Sequence, residues 1–194
     1  VLSNAYLNPL DHRMAELSFQ MVRYADDFVI LCRTPEEAAA ALAEVRQWVE
    51  TNGLTLHPDK THIVDSRETS FSFLGYSFRG KLRFPRSKSH QKFVDRIREL
   101  TPRKSGESLD VMIQRINRST QGWFNYFRYC HWSIFRKYDG MIRRRLRRML
   151  LKRNRRNRQR LSRTQRWPNA YFTKHGFISL NAAHIRFVQS TGTY

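Results

Sequence analysis

The stretch VRYADDFVIL, residues 22–31, places two adjacent aspartates between two apolar runs. Met21-Val22 and Phe28 to Leu31 are short, rich in β-branched and aromatic residues, and free of proline and glycine, which is typical of strands. Ala25-Asp26 is therefore predicted to form the tip of a tight hairpin. Because adjacent carboxylates repel each other, their presence at one tip requires an explanation.

Two explanations are open for this acidic tip. Aspartate is a favoured turn residue, since its side chain accepts hydrogen bonds from nearby backbone N–H groups, so the pair could be an ordinary solvated turn. Alternatively, the pair could bind magnesium, which proteins hold through one or two carboxylates together with substrate phosphates. The remainder of the chain has to decide between these two interpretations.

Helix signals lie on both sides of the hairpin. Apolar residues recur at helical spacing from Leu2 to Leu17, although Pro9 interrupts the pattern. A second helix is predicted after Thr34, which can cap it, with Glu37 completing a capping box. Asn52-Gly53 is predicted to end this helix in the left-handed conformation.

Short strands are predicted after the second helix. The candidates are residues 54–56, residues 61–64, and the stretch from Ser70 to Phe78. In that last strand, alternation places Phe71 and Phe73 on one face. The opposite face would carry Leu74, Tyr76 and Phe78. Helix, hairpin, helix and strands together predict an α+β layer in which helices pack on an antiparallel sheet.

The pattern changes after Pro85 to three amphipathic helices with short links, which predicts an all-α three-helix bundle. We therefore place a domain boundary near residue 86, dividing the chain into residues 1–85 and 86–194. The three apolar stripes comprise Phe93, Ile97 and Leu100; Leu109, Ile113, Ile116, Trp123 and Phe127; and Phe135, Tyr138, Ile142, Leu146 and Met149.

Charge is distributed unevenly between the two predicted domains. Residues 1–85 carry 9 basic and 11 acidic side chains, whereas residues 86–194 carry 27 basic and 5 acidic side chains. A strongly basic half indicates a polyanionic partner, and nucleic acid is the first candidate. An anionic membrane is the alternative, but its basic helices need an exposed apolar face, whereas these apolar stripes have the spacing of a bundle core.

Composition excludes several other classes of protein. With 40% hydrophobic residues the chain can bury a core. Only Cys32 and Cys130 are present, which excludes a disulfide framework and fits a reducing compartment. The histidines have no spacing with cysteine that would make a zinc site, and no apolar run reaches membrane-spanning length.

Residues 143–166 contain 13 arginines and lysines and no acid, whereas ordinary surfaces mix both signs. Arg143, Arg144, Arg147 and Arg148 are predicted to lie opposite the apolar stripe of the third helix. Interleaved aromatic residues such as Trp123 and Phe127 fit RNA stacking, but their helical spacing favours a place in the core. If about six cations contact phosphate, the logarithm of affinity should fall against that of salt with a slope near −4 to −5. The predicted RNA-binding residues are Arg143, Arg144, Arg147, Arg148, Lys152, Arg153, Arg155, Arg156, Arg158 and Arg160.

Several motifs resemble the polymerase palm of reverse transcriptases. Tyr24-Ala25-Asp26-Asp27 at a hairpin tip resembles the catalytic signature of that domain. The stretch from Leu54 to Thr61 resembles the segment after the next palm helix, and Phe73-Leu74-Gly75-Tyr76 resembles the following primer-grip strand pair. Leu2 to His12 resembles the helix after the family's template-side Gln-Gly motif.

Later motifs narrow the resemblance to one family. Gly122-Trp123-Phe124-Asn125-Tyr126-Phe127, the arginine-rich helix and Trp167-Pro168-Asn169-Ala170-Tyr171-Phe172 resemble the thumb, or X domain, of bacterial group II intron reverse transcriptase/maturases. Because the resemblance spans nearly the whole chain in order, it is more specific than any single motif. It implies that residues 1–85 are the C-terminal part of the palm and that residues 86–194 are the thumb with a basic extension.

The resemblance implies a two-metal mechanism that extends DNA on an RNA template. Asp26 matches a metal-ligating carboxylate, and Asp27 matches its ligating or electrostatically supporting neighbour. Tyr24 matches the residue beneath the primer end, and Lys60 matches a lysine that assists the leaving group, although an ordinary turn lysine explains it equally well. Phe73 to Tyr76 would position the primer, or would simply belong to the core of the sheet.

The implied partners are the group II intron RNA, an RNA template with a DNA primer, and deoxynucleotides, and the implied location is the bacterial cytoplasm. The resemblance places another catalytic aspartate, the fingers and the Gln-Gly motif upstream of Val1. We therefore expect the chain to be part of a longer protein, with the two Mg²⁺ sites completed by upstream residues and no DNA synthesis by these 194 residues alone. The alternatives are a non-catalytic maturase-like RNA-binding module and an unrelated basic RNA-binding protein.

Overall fold

The computed structural model describes residues 2–153 and 162–192. The chain divides into two compact units, residues 1–81 and residues 82–194. The first unit combines helices with short antiparallel strands, and the second is largely helical. This arrangement confirms the predicted α+β class. In the described ranges no helix has both the length and the apolar character that crossing a membrane requires.

The first unit packs two helices on a hairpin. Its elements are α1 (Leu2–Glu16), β1 (Gln20–Tyr24), β2 (Asp27–Leu31), α2 (Pro35–Thr51), β3 (Phe71–Phe73) and β4 (Tyr76–Arg79). Helix α1 continues through Pro9, where a proline normally costs several kcal/mol. Leu10 and Met14 follow the proline and are both 0% exposed, so their burial against α2 and the hairpin anchors the helix beyond Pro9.

Helix α2 has the predicted ends with one difference. The Thr34 hydroxyl accepts a hydrogen bond from the backbone N–H of Glu37, as an N-cap does. The predicted capping box is wrong in its second half, because the Glu37 carboxylate accepts from the backbone N–H of Arg33 at 2.6 Å. At the other end Gly53 adopts a φ of +68°, and Leu54 N–H donates to the carbonyl of Val49, which completes a Schellman motif.

The strand predictions after α2 are partly wrong. Residues 54–56 and 61–64 form no strand, and a turn in which Lys60 and Thr61 donate to the carbonyl of His57 separates them. The stretch from Ser70 to Phe78 is not one strand but the antiparallel pair β3 and β4. Leu74 and Gly75, with φ of +47° and +78°, form the intervening turn, as a type I′ turn requires.

This second hairpin changes the predicted faces of the sheet. In a single strand Phe71 and Phe78 would lie on opposite faces. The hairpin instead pairs them across two strands, with ring centroids 5.1 Å apart and nearly parallel planes. Because apolar residues alternate through this stretch, its sequence has the pattern of one continuous strand. The turn is not predicted from that pattern, since positive φ is unusual for a leucine.

The second unit contains β5 (Leu82–Pro85), α3 (Ser87–Leu100), α4 (Leu109–Phe127), α5 (Ser133–Arg153), α6 (Arg163–Arg166), α7 (Asn169–Lys174) and α8 (Leu180–Thr191). The three predicted helices are α3, α4 and α5, and their predicted apolar stripes form the buried core, with Trp123 half-buried. Trp123 lies among aromatic rings, 4.7 Å from Phe93 and 5.1 Å from Tyr138 between centroids. The core interpretation of Trp123 and Phe127 is confirmed.

Helix α8 extends the predicted three-helix bundle, since it packs against α4 and α5. The N-terminus of α8 contacts the side chain of Asp139, an almost fully buried residue of α5. The Asp139 carboxylate accepts hydrogen bonds from the Ser179 hydroxyl and from the backbone N–H groups of Leu180 and Asn181. A buried carboxylate therefore satisfies the first free N–H groups of a helix 40 residues away in sequence.

Candidate catalytic turn and nucleic-acid surfaces

The hairpin β1–β2 has the predicted tip. Tyr24 pairs with Asp27, which leaves Ala25 and Asp26 as the two turn residues. Ala25 has a φ of +56°, whereas Asp26 is not among the residues with positive φ. Positive φ at the first central residue alone is the pattern of a type II′ turn, which suits a tight hairpin but is uncommon for alanine.

The two faces of this hairpin have different environments. Met21, Phe28 and Ile30 pack against the core formed by α1 and α2. Because side chains alternate along a strand, Tyr24 and Asp27 lie on the opposite face. Tyr24 is 68% exposed, and both Asp26 and Asp27 are exposed. The structure therefore exposes the predicted metal ligands Asp26 and Asp27 to solvent together with Tyr24, the predicted primer-positioning residue.

Arg23 connects this turn to α1. It lies on the core-facing side of β1, where its Nε donates to Asp11 Oδ1 at 2.7 Å and its Nη2 donates to Asp11 Oδ2. Its Nη1 donates to the carbonyl oxygen of Ala25 at 2.8 Å and to Asn4 Oδ1 at 3.0 Å. The hydrogen bonds between Arg23 and Asp11 lower the pKa of Asp11 and raise that of Arg23.

Sequence reasoning identified neither Arg23 nor Asp11 as part of this site. A signal was present, because alternation from Met21 places the arginine on the core-facing side of a strand, where a charge requires a partner. That Asp11 is this partner depends on how α1 packs against β1, which periodicity does not specify.

A groove of about 620 Å³ adjoins the turn on the α1 side. Polar groups from α1 and from β1 line it, including the Asp11–Arg23 pair and Tyr24. Its volume lies in the usual range for small-molecule sites. The lining residues are Asn4, Asn8, Asp11, Ala15, Phe19, Met21, Arg23, Tyr24 and Ala25.

The turn supplies two carboxylates for a metal ion. Within residues 2–153 and 162–192, no group of three or more histidine, cysteine, aspartate or glutamate side chains is placed to hold one. Exposed, adjacent carboxylates are the correct donor type for Mg²⁺, which keeps several waters and takes further oxygens from substrate phosphates. Asp26 and Asp27 therefore fit part of a magnesium site.

The other predicted polymerase residues lie on two separate segments. Lys60 is exposed in the turn that follows His57. Phe73 to Tyr76 span the turn of the second hairpin, and β3 lies in contact with β2. The structure thus brings the second hairpin next to the strand that begins with Asp27, while a role for Lys60 stays a prediction.

The predicted basic face of α5 is divided. Arg144 and Arg148 are exposed. Arg147 is buried, so its predicted position on the outer face is wrong: its Nε donates to the carbonyl of Trp167 at 2.8 Å and its Nη2 to Asn169 Oδ1 at 2.8 Å. Its guanidinium also lies over the ring of Phe172. Three residues of the Trp-Pro-Asn-Ala-Tyr-Phe motif thus enclose this one arginine.

The remaining predicted cations have mixed surroundings. Arg143 is half-buried, with its guanidinium 5.1 Å from the ring centroid of Phe177. Arg153 donates to the carbonyls of Ser105 and Glu107 and so joins the end of α5 to the α3–α4 connection. Lys152 is half-buried. Arg155, Arg156, Arg158 and Arg160 lie outside the described residues.

Two protein families match this chain. The model of the reverse transcriptase (RNA-dependent DNA polymerase) family matches residues 1–78, which include the turn with the two aspartates. The model of the group II intron, maturase-specific domain matches residues 90–167, which include most of α3, all of α4 and the basic helix α5. A search of curated proteins finds no match to the sequence.

Proposed function

Because this chain belongs to the group II intron reverse transcriptase/maturase family, we propose that its Asp26-Asp27 turn is part of a magnesium-dependent polymerase site. Members of this family are RNA-directed DNA polymerases and intron maturases. The observation that carries the proposal is the exposed tight turn in which Tyr24 and the two aspartates lie together. The Ala25 carbonyl of this turn accepts a hydrogen bond from Arg23, which is itself paired with Asp11 of α1.

Asp26 and Asp27 would hold the divalent cation through their carboxylate oxygens. When bound, Mg²⁺ supplies polarisation of the attacking 3′-hydroxyl and stabilises charge on the leaving pyrophosphate. The protein positions these carboxylates, because Arg23 binds the carbonyl of Ala25 and so limits the movement of the adjacent Asp26. Two carboxylates do not complete a two-metal site, so further oxygen ligands come from the nucleotide and from other residues of the polymerase.

The proposed roles of the other residues follow the division of the chain. Residues 1–85 would be the end of the palm, with Tyr24 beneath the primer end, Phe73 to Tyr76 positioning the primer and Lys60 assisting the leaving group. Residues 86–194 would be the thumb. The proposed partners are the intron RNA, an RNA template with its DNA primer, and deoxynucleotides, in the bacterial cytoplasm.

The exposed cations of α5 support the RNA-binding part of this proposal. Arg144 and Arg148 are exposed on a helix that carries no acid after Asp139. Phosphate contacts from such cations release counterions and make affinity depend on salt. Because Arg147 and Arg153 are bound within the unit, we leave them out of the proposed phosphate contacts.

Substitution of Asp26 tests the proposal. In the full polypeptide that the gene encodes, Asp26→Ala should abolish Mg²⁺-dependent extension of a DNA primer on an RNA template. RNA binding and intron splicing should stay near wild type, because metal chemistry and phosphate contacts use different residues. The matched control is Asp65→Ala, which removes an exposed acid of the same unit that bonds Arg67 and should leave extension intact.

Three results would contradict parts of this proposal. Unchanged extension by the Asp26→Ala protein would exclude the turn from catalysis and favour the non-catalytic maturase-like module. Loss of splicing and extension together, with normal folding, would show that the turn binds RNA and not only metal. Primer extension by the isolated 194-residue chain would refute our expectation that this chain alone is inactive.

A further inference from the structure

Three exposed aromatic side chains lie at the end of α4 and in the connection between α4 and α5. Tyr126, Tyr129 and Trp132 are 54%, 43% and 40% exposed. Large aromatic side chains normally contribute their area to a core or to an interface, because exposing them forfeits the free energy of burial. Their concentration within seven residues therefore points to contact with another molecule.

Arginines are stacked on two of these rings. The Arg83 and Arg128 guanidiniums lie 5.6 and 5.4 Å from the ring centroid of Tyr129, and Arg136 lies 5.5 Å from that of Trp132. Stacking holds a guanidinium plane in place while leaving N–H donors at its edge for other acceptors. We call Arg83, Arg128, Tyr129, Trp132 and Arg136 the stacked-arginine surface.

The acids of this half of the chain are engaged elsewhere. Residues 86–194 contain five acids, and each one has a partner outside the stacked-arginine surface. The pairs are Asp95 with Arg98, Glu99 with Arg96, Glu107 with Arg115, Asp110 with His175, and Asp139 with the N-terminus of α8. Among the described residues, no ion pair involves an arginine of this surface.

Arginines that have no acidic partner and lie beside exposed aromatic rings are suited to bind single-stranded RNA. A duplex offers phosphates, but its bases are already stacked on each other. An unpaired strand offers phosphates and also free base faces, which stack on aromatic rings and on guanidinium planes. Arg144 and Arg148 on α5 are exposed without such rings, so they suit the phosphates of either form.

We propose that the stacked-arginine surface binds an unpaired segment of RNA, with bases stacked on Tyr129 and Trp132 and phosphates bound by Arg83, Arg128 and Arg136. This inference rests on the proposed RNA-binding function and adds the form of RNA that one surface selects. Arg144 and Arg148, further along α5, are not part of this surface, so the two sets of residues can be tested independently.

The test measures binding of the 194-residue chain to two fluorescent RNAs by anisotropy: a 12-nucleotide strand without self-complementarity and a blunt-ended duplex of 12 base pairs. Trp132→Ala should weaken binding of the single strand about 5- to 100-fold, because it removes a stacking platform, and should leave duplex binding within about twofold. Trp132→Phe should restore most of the loss, since phenylalanine keeps a ring face.

Salt dependence separates stacking from charge. Trp132→Ala should leave the slope of log affinity against log salt unchanged for the single strand. Arg136→Ala should reduce the magnitude of that slope by about 0.7, the contribution of one phosphate contact on a single strand. Arg144→Ala is the control, and it should weaken binding of both RNAs to a similar extent.

The proposal is overturned if Trp132→Ala weakens both RNAs equally or neither, with an unfolding midpoint like that of the wild type. If Trp132→Ala lowers that midpoint, Trp132→Leu, which keeps apolar volume without a ring, replaces it under the same criteria. If Arg144→Ala lowers the affinity for both RNAs while the tryptophan variants have no effect, RNA binding stands and this inference fails.

Discussion

One guanidinium, that of Arg23, binds both carboxylate oxygens of Asp11 in α1 and the carbonyl oxygen of Ala25 in the turn that carries Asp26. The Arg23 side chain is only 10% exposed, whereas that of Asp11 is 36% exposed. The turn proposed to hold the metal is thus supported from the core side of its sheet by an ion pair. Its position depends on a helix as well as on its own two strands.

Asp11→Asn should therefore destabilise the first unit and loosen the turn. The amide cannot accept both charged hydrogen bonds, and Arg23 is left without its partner in a nearly buried position. We expect a loss of about 1–2 kcal/mol in the free energy of unfolding, since the partial exposure of Asp11 reduces the effect. Urea unfolding measures the loss, and amide hydrogen exchange shows whether β1 and β2 open more often.

Glu44→Gln is the matched control for this substitution. Glu44 also pairs with an arginine of α1, Arg13, but both side chains are substantially exposed. Its removal should change the free energy of unfolding by less than about 1 kcal/mol and leave exchange at the turn unchanged. Equal effects of the two substitutions would show that the Asp11–Arg23 pair stabilises the unit and its turn no more than an exposed ion pair does.

Asp139→Asn should detach α8 from the bundle. The buried carboxylate accepts from two backbone N–H groups and one hydroxyl, and an amide presents only one oxygen to them. We expect a loss of about 2–3 kcal/mol, measured by urea unfolding, with faster amide exchange concentrated in α8. Asp110→Asn, which removes an exposed acid paired with His175, should cost less than about 1 kcal/mol.

Arg147 and Arg148 are neighbours on α5 that should respond in opposite ways. Arg147→Ala removes a buried guanidinium bound to Trp167 and Asn169, so it should cost about 2–3 kcal/mol of stability. Arg148→Ala should change stability by less than about 0.5 kcal/mol but reduce the salt slope of duplex RNA binding by about 0.9. Urea unfolding measures the effect on stability, and salt-dependent anisotropy measures the effect on RNA binding. If Arg148→Ala lowered stability while Arg147→Ala changed only the salt slope, our interpretation of α5 would be wrong.

The second unit should lose stability in weak acid. Burial, and secondarily the charge of His131, lowers the pKa of His184 below 6.5, and burial with Lys137 nearby does the same for His90. Between each lowered pKa and 6.5 the unfolded chain binds more protons than the folded one, so the free energy of unfolding falls as pH decreases through that window. Above pH 6.5 this contribution is fully present.

Two measurements check the histidine prediction. Titration of the imidazole signals by NMR should give midpoints below 6.5 for His90 and His184 in the folded chain. His184→Phe keeps an aromatic ring against Phe135 and should remove part of the decrease in stability between pH 7 and pH 5. An unchanged pH dependence in this variant would exclude His184 as one of its sources.

Local signals explain which elements could be predicted. The caps at Thr34 and Gly53, and the apolar stripes of α3, α4 and α5, depend on residues within a few positions of each other. The failed strand at residues 54–56 had suitable side chains, but a strand needs a partner to satisfy its backbone groups, and none pairs with it among the described residues.

The sequence alone determined the acidic hairpin, the helical core of the second unit and the excess of positive charge, because each follows from periodicity or from composition. The tertiary structure decided which of these positive charges are exposed to solvent, where a nucleic acid can reach them. Arg147 and Arg148 are adjacent in sequence, yet Arg147 is bound by residues 20 and 22 positions further along and Arg148 faces solvent. Burial and pairing depend on contacts between distant segments, so the partner of Arg23 and the cap of α8 emerge only from the packed chain.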